Sequence, residues 1–505
     1  MNVMMLLEMA ASGFGDRVGL GSKHGGGLTY QQMFDRAGAA AAFFMGAGVE
    51  RVSLIDVSSP ALPLTLFGSA WAGKPFVPLN YRLTADELRR LAAEVAPTVT
   101  VCEEQAQPKL FDIAGVQPIL RDDFLRSIAA EQSAAPEWAM DPDDIAILLY
   151  TSGTTGAPKA AVLRHKHLVS YIFGSVEFMS AGEDEATLIS VPPYHIAGMA
   201  AILSSVYAGR RIVQLAAFDA ASWVELALHE GVTHAMVVPT MLARIVDHME
   251  ATGITNIPTL QALSYGGGKM PLPVIEKALD LLPQCNFVNA YGLTETSSTV
   301  CILGPDDHRA SRTSENAAVR RRLTSVGKPL PSIELTVRDD DGNAVEPGAR
   351  GEIWVRGEQV AGEYLGRGSL LNADGWFPTK DGGYLDDEGF LFLDGRIDDI
   401  IIRGGENISP GEIEDVLLQH EGVADAAAVG VPSRQWGEAV GAVVVRIPGT
   451  DVTSDELHDW VSRHLRSSRA PQVVVFRDEL PYNDMGKLLR RVLKAELADL
   501  GDDES

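Results

Sequence analysis

The run Thr151-Ser152-Gly153-Thr154-Thr155-Gly156-Ala157-Pro158-Lys159 packs four hydroxyls, two glycines and a terminal lysine into nine residues. The apolar stretch from Ile145 to Tyr150 leads straight into it and reads as a buried strand. A strand that empties into a Gly- and hydroxyl-rich loop suits phosphate. Glycines let backbone N–H groups turn toward the anion, hydroxyls add donors, and the lysine brings a positive charge. The same residues also fit an ordinary strand–turn–strand connection, since Gly and Thr are common in turns. The Walker pattern is excluded, because the spacing fails and no Ser or Thr follows Lys159.

A chain of 505 residues exceeds one compact core, so two or more domains are expected. Hydrophobic residues make up 46%, enough for large cores. The net charge of −26 argues against nucleic acid or an anionic membrane as the main partner. Any site for an anionic ligand must therefore be made locally positive. The basic cluster Arg320-Arg321-Arg322 reads as a solvated face. Cys102, Cys285 and Cys301 are widely spaced, show no metal pattern and suit buried thiols in a reducing compartment. Met1 to Met9 is apolar but carries Glu8 and no basic leader, so it reads as a short helix and not a signal peptide. Ala37 to Gly48 is too short to span a bilayer and reads as a core helix. A cytoplasmic protein with no integral membrane association is expected.

Helical and strand-like patterns alternate along most of the length. Thr84 to Ala93 reads as a helix with Thr84 as its N-cap and Glu87 completing a capping box. Thr98 to Cys102 follows as a strand. Ser222 to Glu230 reads as a helix, then Ala235 to Val238 as a strand; Val274 to Leu282 and Phe287 to Asn289 repeat the pattern. This is the signature of parallel sheets covered by helices. After about residue 330 the texture changes: Ile333 to Arg338, Gly351 to Arg356 and Phe390 to Leu393 look like strands. The tail reads as α+β, with helices at Glu412 to Gln419 and Ser454 to Leu465 and strands at Ala426 to Val431 and Val440 to Val445. A boundary near Asp398 divides the chain into 1–397 and 398–505.

Tyr291-Gly292-Leu293-Thr294-Glu295 offers a flat ring for a base, a hydroxyl for phosphate and a carboxylate for Mg2+, although the same residues fit a polar loop after a strand. Asp381 can take two hydrogen bonds from ribose hydroxyls and Arg396 can approach ribose or phosphate, although exposed Asp and Arg are common on any surface.

Together these segments resemble the adenylate-forming superfamily, which holds acyl-CoA synthetases, aryl-CoA ligases, luciferases and peptide-synthetase adenylation domains; the chain looks most like an acyl-CoA synthetase. The motifs run in the family's order: TSGTTGAPK (Thr151–Lys159), PPYHIAG (Pro192–Gly198), YGGGKMP (Tyr265–Pro271), YGLTE (Tyr291–Glu295), GWFPTKD (Gly375–Asp381), GRIDDIIIRGGENISPGEIE (Gly395–Glu414) and NDMGKLLRR (Asn483–Arg491). The resemblance covers roughly Leu28 to the C-terminus. It implies an α/β protein whose large N-terminal domain has helix-covered, mostly parallel sheets and a small β-barrel-like part, followed by a small mobile α+β C-terminal domain. It also implies two half-reactions. A carboxylate attacks the α-phosphate of ATP, giving acyl-adenylate and pyrophosphate; a thiol, usually that of CoA, then attacks the acyl carbon and releases AMP.

Roles follow by matching position. Thr151, Ser152, Gly153, Thr154, Thr155, Gly156 and Lys159 would hold the β- and γ-phosphates. Gly267, Gly268 and Tyr291 would frame adenine, and Asp381 and Arg396 would bind the ribose side. Thr294 would touch the α-phosphate, Glu295 would hold Mg2+, and Lys487 would bridge the substrate carboxylate and the α-phosphate. An ammonium aimed where negative charge gathers stabilises such a transition state. Asp398 matches the family's hinge. A swing about it would carry Lys487 away and bring Gly404, Gly405 and Glu406 to the adenylate. Trp436, Arg469 and Arg82 resemble CoA contacts, although Trp436 also fits simple packing. The acid pocket would be lined by His195, Ala197, Gly198, Met199, Tyr265 and Gly266, with Thr296 to Thr299 beside them. That wall suits an alkyl or aryl acid. No Asp accompanies Tyr194-His195, which disfavours amino-acid substrates.

Four positions depart from the family pattern. Lys380 stands where Gly is common, Ala160 replaces a Gly, Lys269 replaces a Pro, and Arg403 sits where a small residue is frequent. Three readings of function follow: an acid–CoA ligase, an acyl-adenylate former that delivers to a carrier-protein thiol, and a silent homologue that binds nucleotide or acyl-CoA. Retention of Lys159, Glu295, Asp381, Arg396 and Lys487 argues against the last. Partners are then a small-molecule carboxylic acid, ATP and CoA, with Mg2+ as cofactor and a homodimer compatible with the sequence.

Overall fold

The computed structural model describes residues 1–130, 133–135, 137–151, 158–483 and 488–498. Ser152, Gly153, Thr154, Thr155, Gly156 and Lys487 lie outside the described residues.

Two large sheets dominate the first 397 residues. In one, the parallel strands Asn286–Leu293, Ala262–Gly266, His234–Val237, Ala186–Ile189 and Arg211–Gln214 lie side by side. In the other, Ile145–Thr151, Phe76–Pro78, Arg51–Ile55, Thr98–Cys102 and Val116–Leu120 do the same. Parallel strands need crossovers, and helices supply them. The helix Ala85–Glu94 starts as the sequence predicts: the Thr84 hydroxyl accepts from Glu87 N, and the Glu87 carboxylate accepts from Thr84 N. Such a cap stabilises a helix by about 1 kcal/mol. The helix expected over Ala37 to Gly48 is the second half of a longer one, Tyr30–Gly46, which opens on another capping box at Thr29 and Gln32.

Helices Met4–Phe14, Tyr30–Gly46, Ala61–Trp71 and Ile196–Ala208 share one apolar cluster with strands of both sheets. Ala61–Trp71 is buried at every position, which is why its sequence is apolar all round. The small β part of this region is an antiparallel sheet in the order Glu334–Arg338, Gly351–Arg356, Phe377–Leu385, Leu391–Arg396.

Beyond the turn Ile397–Asp399 a separate sheet forms from Glu406–Ile408, Ile401–Arg403, Gly437–Arg446, Val423–Ser433 and Val473–Arg477. Its central strands are apolar on both faces, as strands covered twice must be. Ala426 and Ala428 pack toward helices Pro410–Leu417 and Ser454–His464, while Ala427, Val429 and Val431 pack toward Arg490–Leu497. Each part thus has its own core.

Candidate active site

The TSGTTGAPK run joins two antiparallel strands. Ile145–Thr151 pairs with Lys159–Arg164, and Thr151 stands opposite Lys159. The second strand pairs at Ala161 with the strand Glu363–Tyr364, and Arg164 forks onto Glu363 at 2.9 and 2.7 Å. The run is therefore rooted in the second large sheet.

The nucleotide residues of the other sheet converge from far apart in sequence. Ala262–Gly266 and Asn286–Leu293 are parallel neighbours, so Gly266 and Ala290 lie side by side. A Cβ on Gly266 would stand 2.2 Å from Ala290 O, so only glycine fits. Tyr291 is buried and donates its hydroxyl hydrogen to Asp381 Oδ2 at 2.7 Å. Arg396 Nη1 donates to Asp381 Oδ1 at 3.0 Å and to Thr379 O at 2.9 Å. Asp381 and Arg396 are cross-strand partners, so the register of one hairpin brings them together. Burial pushes the Tyr291 hydroxyl well above its ordinary pKa, and the Asp381 carboxylate adds to it. Burial opposes the charge on Arg396, but Asp381 outweighs burial and holds it above its usual value. Arg396 Nε is buried with no partner among the described residues. Each Asp381 oxygen keeps a further lone pair for a hydroxyl.

Glu295 lies in the turn Thr294–Thr296. Its carbonyl accepts from Ala361 N at 2.9 Å and Gly362 N at 3.0 Å. Its side-chain Oε1 accepts from the Tyr364 hydroxyl. Tyr364 in turn touches the Thr151 hydroxyl, and Arg396 lies near enough to feel the Glu295 charge. Three motifs therefore meet around Tyr364. The Glu295 carboxylate is a hard oxygen donor of the kind that fits Mg2+. The unpartnered Arg396 Nε is a matching donor for an anion. The turn that follows is strained, with Ser297 at φ +56° and Ser298 at φ +112°. Buried Gln359 holds it, its Nε2 donating to Thr296 O at 3.2 Å and Thr299 O at 2.8 Å. Tyr364 and Gln359 carry no signal in the sequence reading, and Thr379 falls inside the GWFPTKD run without a role of its own, because each acts through partners in other strands.

On the acid side, His195 is the N-cap of Ile196–Ala208, and Ala197 and Gly198 form its first turn. The His195 ring lies 4.7 Å from that of Tyr194, which lies 5.7 Å from that of Tyr81. Two expected pocket residues also pack in the cores. Tyr265 is fully buried in the second core with its hydroxyl 2.8 Å from His308 Nε2. Met199 is fully buried in the first core. The Tyr171 hydroxyl lies 3.5 Å from Thr299 Oγ1.

In the small part, Gly404 has φ +58° and donates its N–H to Trp436 O at 2.8 Å. A Cβ there would meet the Trp436 ring at 2.8 Å. Trp436 is 41% exposed, with the Arg403 guanidinium 5.0 Å from its ring centroid. Arg403 Nη1 also donates to Ser468 O at 3.2 Å. Arg469 and Glu406, expected as separate CoA contacts, are ion-paired to each other, and Glu412 lies 3.6 Å from Arg469. The Arg82 guanidinium sits 5.5 Å from the Tyr81 ring centroid in the large part. Asp398 lies in the turn Ile397–Asp399 between the two cores.

Two departures gain a structural account. Lys380 has φ +63°, a conformation glycine adopts at no cost, and Glu352 answers it by accepting from Lys380 N at 3.2 Å and pairing with its Nζ at 3.3 Å. Lys269 reaches across to the small part, where Nζ pairs with Asp415 and donates to Gly411 O at 3.2 Å.

Residues 7–365 match the family model for AMP-binding enzymes. The chain belongs to the AMP-binding enzyme family. Residues 412–487 match the AMP-binding enzyme C-terminal domain. A fatty acid–[acyl-carrier-protein] ligase, ScoC of Streptomyces coeruleorubidus, is 34% identical over 485 residues, 92% of this chain and 91% of the relative. A feruloyl-CoA synthase of Amycolatopsis is 33% identical over 480 residues, 93% and 94% of the two chains. Among solved structures, ATP-bound MatB from Rhodopseudomonas palustris superposes with a TM-score of 0.87 at 27% identity, covering 99% of this chain and 100% of the other.

Proposed function

We propose that this chain joins a carboxylic acid to the thiol of CoA through an acyl-adenylate, releasing pyrophosphate and then AMP. The observation that carries this reading is the Tyr291–Asp381–Arg396 set. It would serve as a ribose-side wall, and it leaves a buried guanidinium nitrogen with no partner among the described residues, close enough to Glu295 to feel its charge.

Tyr291 would cover the adenine, with Gly267 and Gly268 at its edge, and Asp381 would accept from the ribose hydroxyls. Thr151, Lys159 and the intervening residues would grip the β- and γ-phosphates. Glu295, with Thr294, would hold Mg2+, which when bound offsets part of the triphosphate charge. In the first half-reaction an acid oxygen attacks the α-phosphorus and the bond to the pyrophosphate oxygen breaks. Lys487 would hold the carboxylate and α-phosphate together, so positioning and charge supply the acceleration. In the second, the thiol sulfur attacks the acyl carbon, its proton leaves to solvent, and the acyl–phosphate oxygen bond breaks.

The domains would divide at Asp398, with 398–505 turning as a unit between the steps. Gly404 and Gly405 would then face the acyl group beside Trp436. The acid wall of His195, Ala197, Gly198, Met199, Tyr265 and Gly266 would suit an alkyl or aryl acid. No helix among the described residues is long and apolar enough to cross a membrane, and Cys102, Cys285 and Cys301 are free and buried, which supports a reducing, cytoplasmic setting. A second reading, delivery to a carrier-protein thiol, is favoured by the similarity to ScoC.

The test is pyrophosphate release with ATP and Mg2+ over fatty, aryl and branched acids, each with CoA, with a phosphopantetheinylated carrier protein, or with neither. Acyl-CoA detected by mass supports the first reading. Acylated carrier protein without acyl-CoA supports the second.

A further inference from the structure

Glu295 is read above as the Mg2+ ligand, and the following inference rests on that reading. A lone glutamate on a short turn has rotation about three side-chain bonds, which a metal must freeze. Here the turn is fixed first. The Glu295 carbonyl takes two backbone N–H groups, Ala361 at 2.9 Å and Gly362 at 3.0 Å. Those amides belong to the segment that runs on into Glu363–Tyr364, and the Tyr364 hydroxyl closes the loop by donating to Glu295 Oε1. The segment is itself anchored to the phosphate hairpin by the Tyr364–Ala161 pairing and by the Arg164–Glu363 fork. Thr151, at the end of the preceding strand, touches the same hydroxyl.

We propose that Tyr364 is a positioning residue for the metal: its hydroxyl sets the plane of the Glu295 carboxylate and keeps the remaining lone pairs turned to the cation, while tying that ligand to the hairpin that grips the phosphates. A carboxylate has about four lone-pair sites, so one bond from Tyr364 leaves room for a metal. Outer hydrogen bonds of this kind typically govern metal affinity by about 10- to 100-fold.

The test uses Mn2+ as a paramagnetic probe, titrated into the full-length protein saturated with β,γ-methylene-ATP and without acid. Water-proton relaxation reports Mn2+ held by the protein–nucleotide complex, independently of turnover. Tyr364→Phe should weaken Mn2+ binding about 10-fold and leave nucleotide affinity in EDTA unchanged. Glu295→Gln should weaken Mn2+ at least as much. Arg164→Gln, which loosens the same segment but keeps the Tyr364 hydroxyl, should weaken Mn2+ binding less than Tyr364→Phe does. Normal Mn2+ affinity in Tyr364→Phe beside a weak Glu295→Gln overturns the role of Tyr364 alone. Normal affinity in Glu295→Gln overturns the ligand reading and this inference with it. Equal weakening in Arg164→Gln assigns the effect to general loosening of the strand, which also overturns it. Should Tyr364→Phe fail to fold, a fluorotyrosine at 364 keeps ring and hydroxyl with a stronger donor. A changed Mn2+ affinity then supports the proposal and an unchanged one overturns it.

Discussion

At the nucleotide wall, Tyr291 comes from one sheet and Asp381 and Arg396 from another, and they share hydrogen bonds of 2.7 and 3.0 Å. Around Lys487 the ties run inward. Tyr482 and Leu488 pair as a bridge, Leu489 N donates to Pro481 O at 2.8 Å, and Arg490 forks onto Glu414 while donating to Ala428 O at 2.7 Å. All of these partners belong to the small part. Its described polar links to the large part include Lys269 to Asp415 and Gly411, and Ser409 Oγ to Asp394 O at 2.8 Å. The contrast teaches a division of labour. In the proposed reading, the ligand-binding groups would be preset in the large part, whereas the small part would carry the lysine as it turns. Arg490 also lies 3.7 Å from Asp399, next to the proposed hinge residue, so the Lys487 segment and the hinge share an anchor.

The largest expected effect comes from breaking the wall. Asp381→Ala strands Arg396 and the Tyr291 hydroxyl together. It should cost about 3 kcal/mol of stability and lower acid-dependent ATP–pyrophosphate exchange by at least about 100-fold through weak ATP binding. Equilibrium unfolding in urea and exchange rates check both.

Arg490→Met tests the other region. Burial opposes the Glu414 charge, but Arg490 wins and holds Glu414 below its ordinary pKa, so removing the arginine leaves a buried carboxylate uncompensated. The small part should lose about 3 kcal/mol, while ATP binding, measured by calorimetry, stays unchanged. Weakened ATP binding would mean the two regions are not separable.

A smaller effect sharpens the comparison through pH. His165 and His167 are pushed down to about 4, mainly by burial, with neighbouring positive charges adding to it. Each accepts a backbone N–H through Nδ1, His165 from Val3 at 3.2 Å and His167 from Arg164 at 3.3 Å. Their folded pKa lies below the unfolded value of 6.5, so the unfolded chain takes up protons first. Their contribution is complete above about 6.5 and is lost as pH falls toward 4. The large part should therefore loosen in that window, and His165→Asn with His167→Asn should flatten the pH dependence of its unfolding midpoint.

The smallest effect is at Lys380→Gly. Relief of a left-handed lysine is worth about 1 kcal/mol, less a few tenths for the Glu352 pair. A slightly raised Tm with unchanged ATP affinity is expected, which would assign Lys380 to the turn and not to the nucleotide.

Local signals were legible in the sequence. The capping box at Thr84 and Glu87 needs only three residues of spacing, and the strand Thr98–Cys102 falls where its β-branched run places it. The start of Tyr30–Gly46 was not, because the polar first turn hides the helix that the later alanines announce. The site motifs were legible as identities, but their joining was not. Asp381 and Arg396 meet through a hairpin register, Tyr364 reaches Glu295 across the phosphate hairpin, and Gln359 braces a strained turn from another strand. The core contact of Tyr265 was not legible either, because its partner His308 lies 43 residues away in sequence.

The most direct test separates the half-reactions in Lys487→Ala. If the large part binds and the small part delivers the lysine for adenylation alone, acid-dependent ATP–pyrophosphate exchange should fall by orders of magnitude. Thioester formation from supplied acyl-adenylate and CoA should stay close to that of the parent. Equal loss of both steps would contradict the account, because the lysine would then serve both reactions from one fixed position.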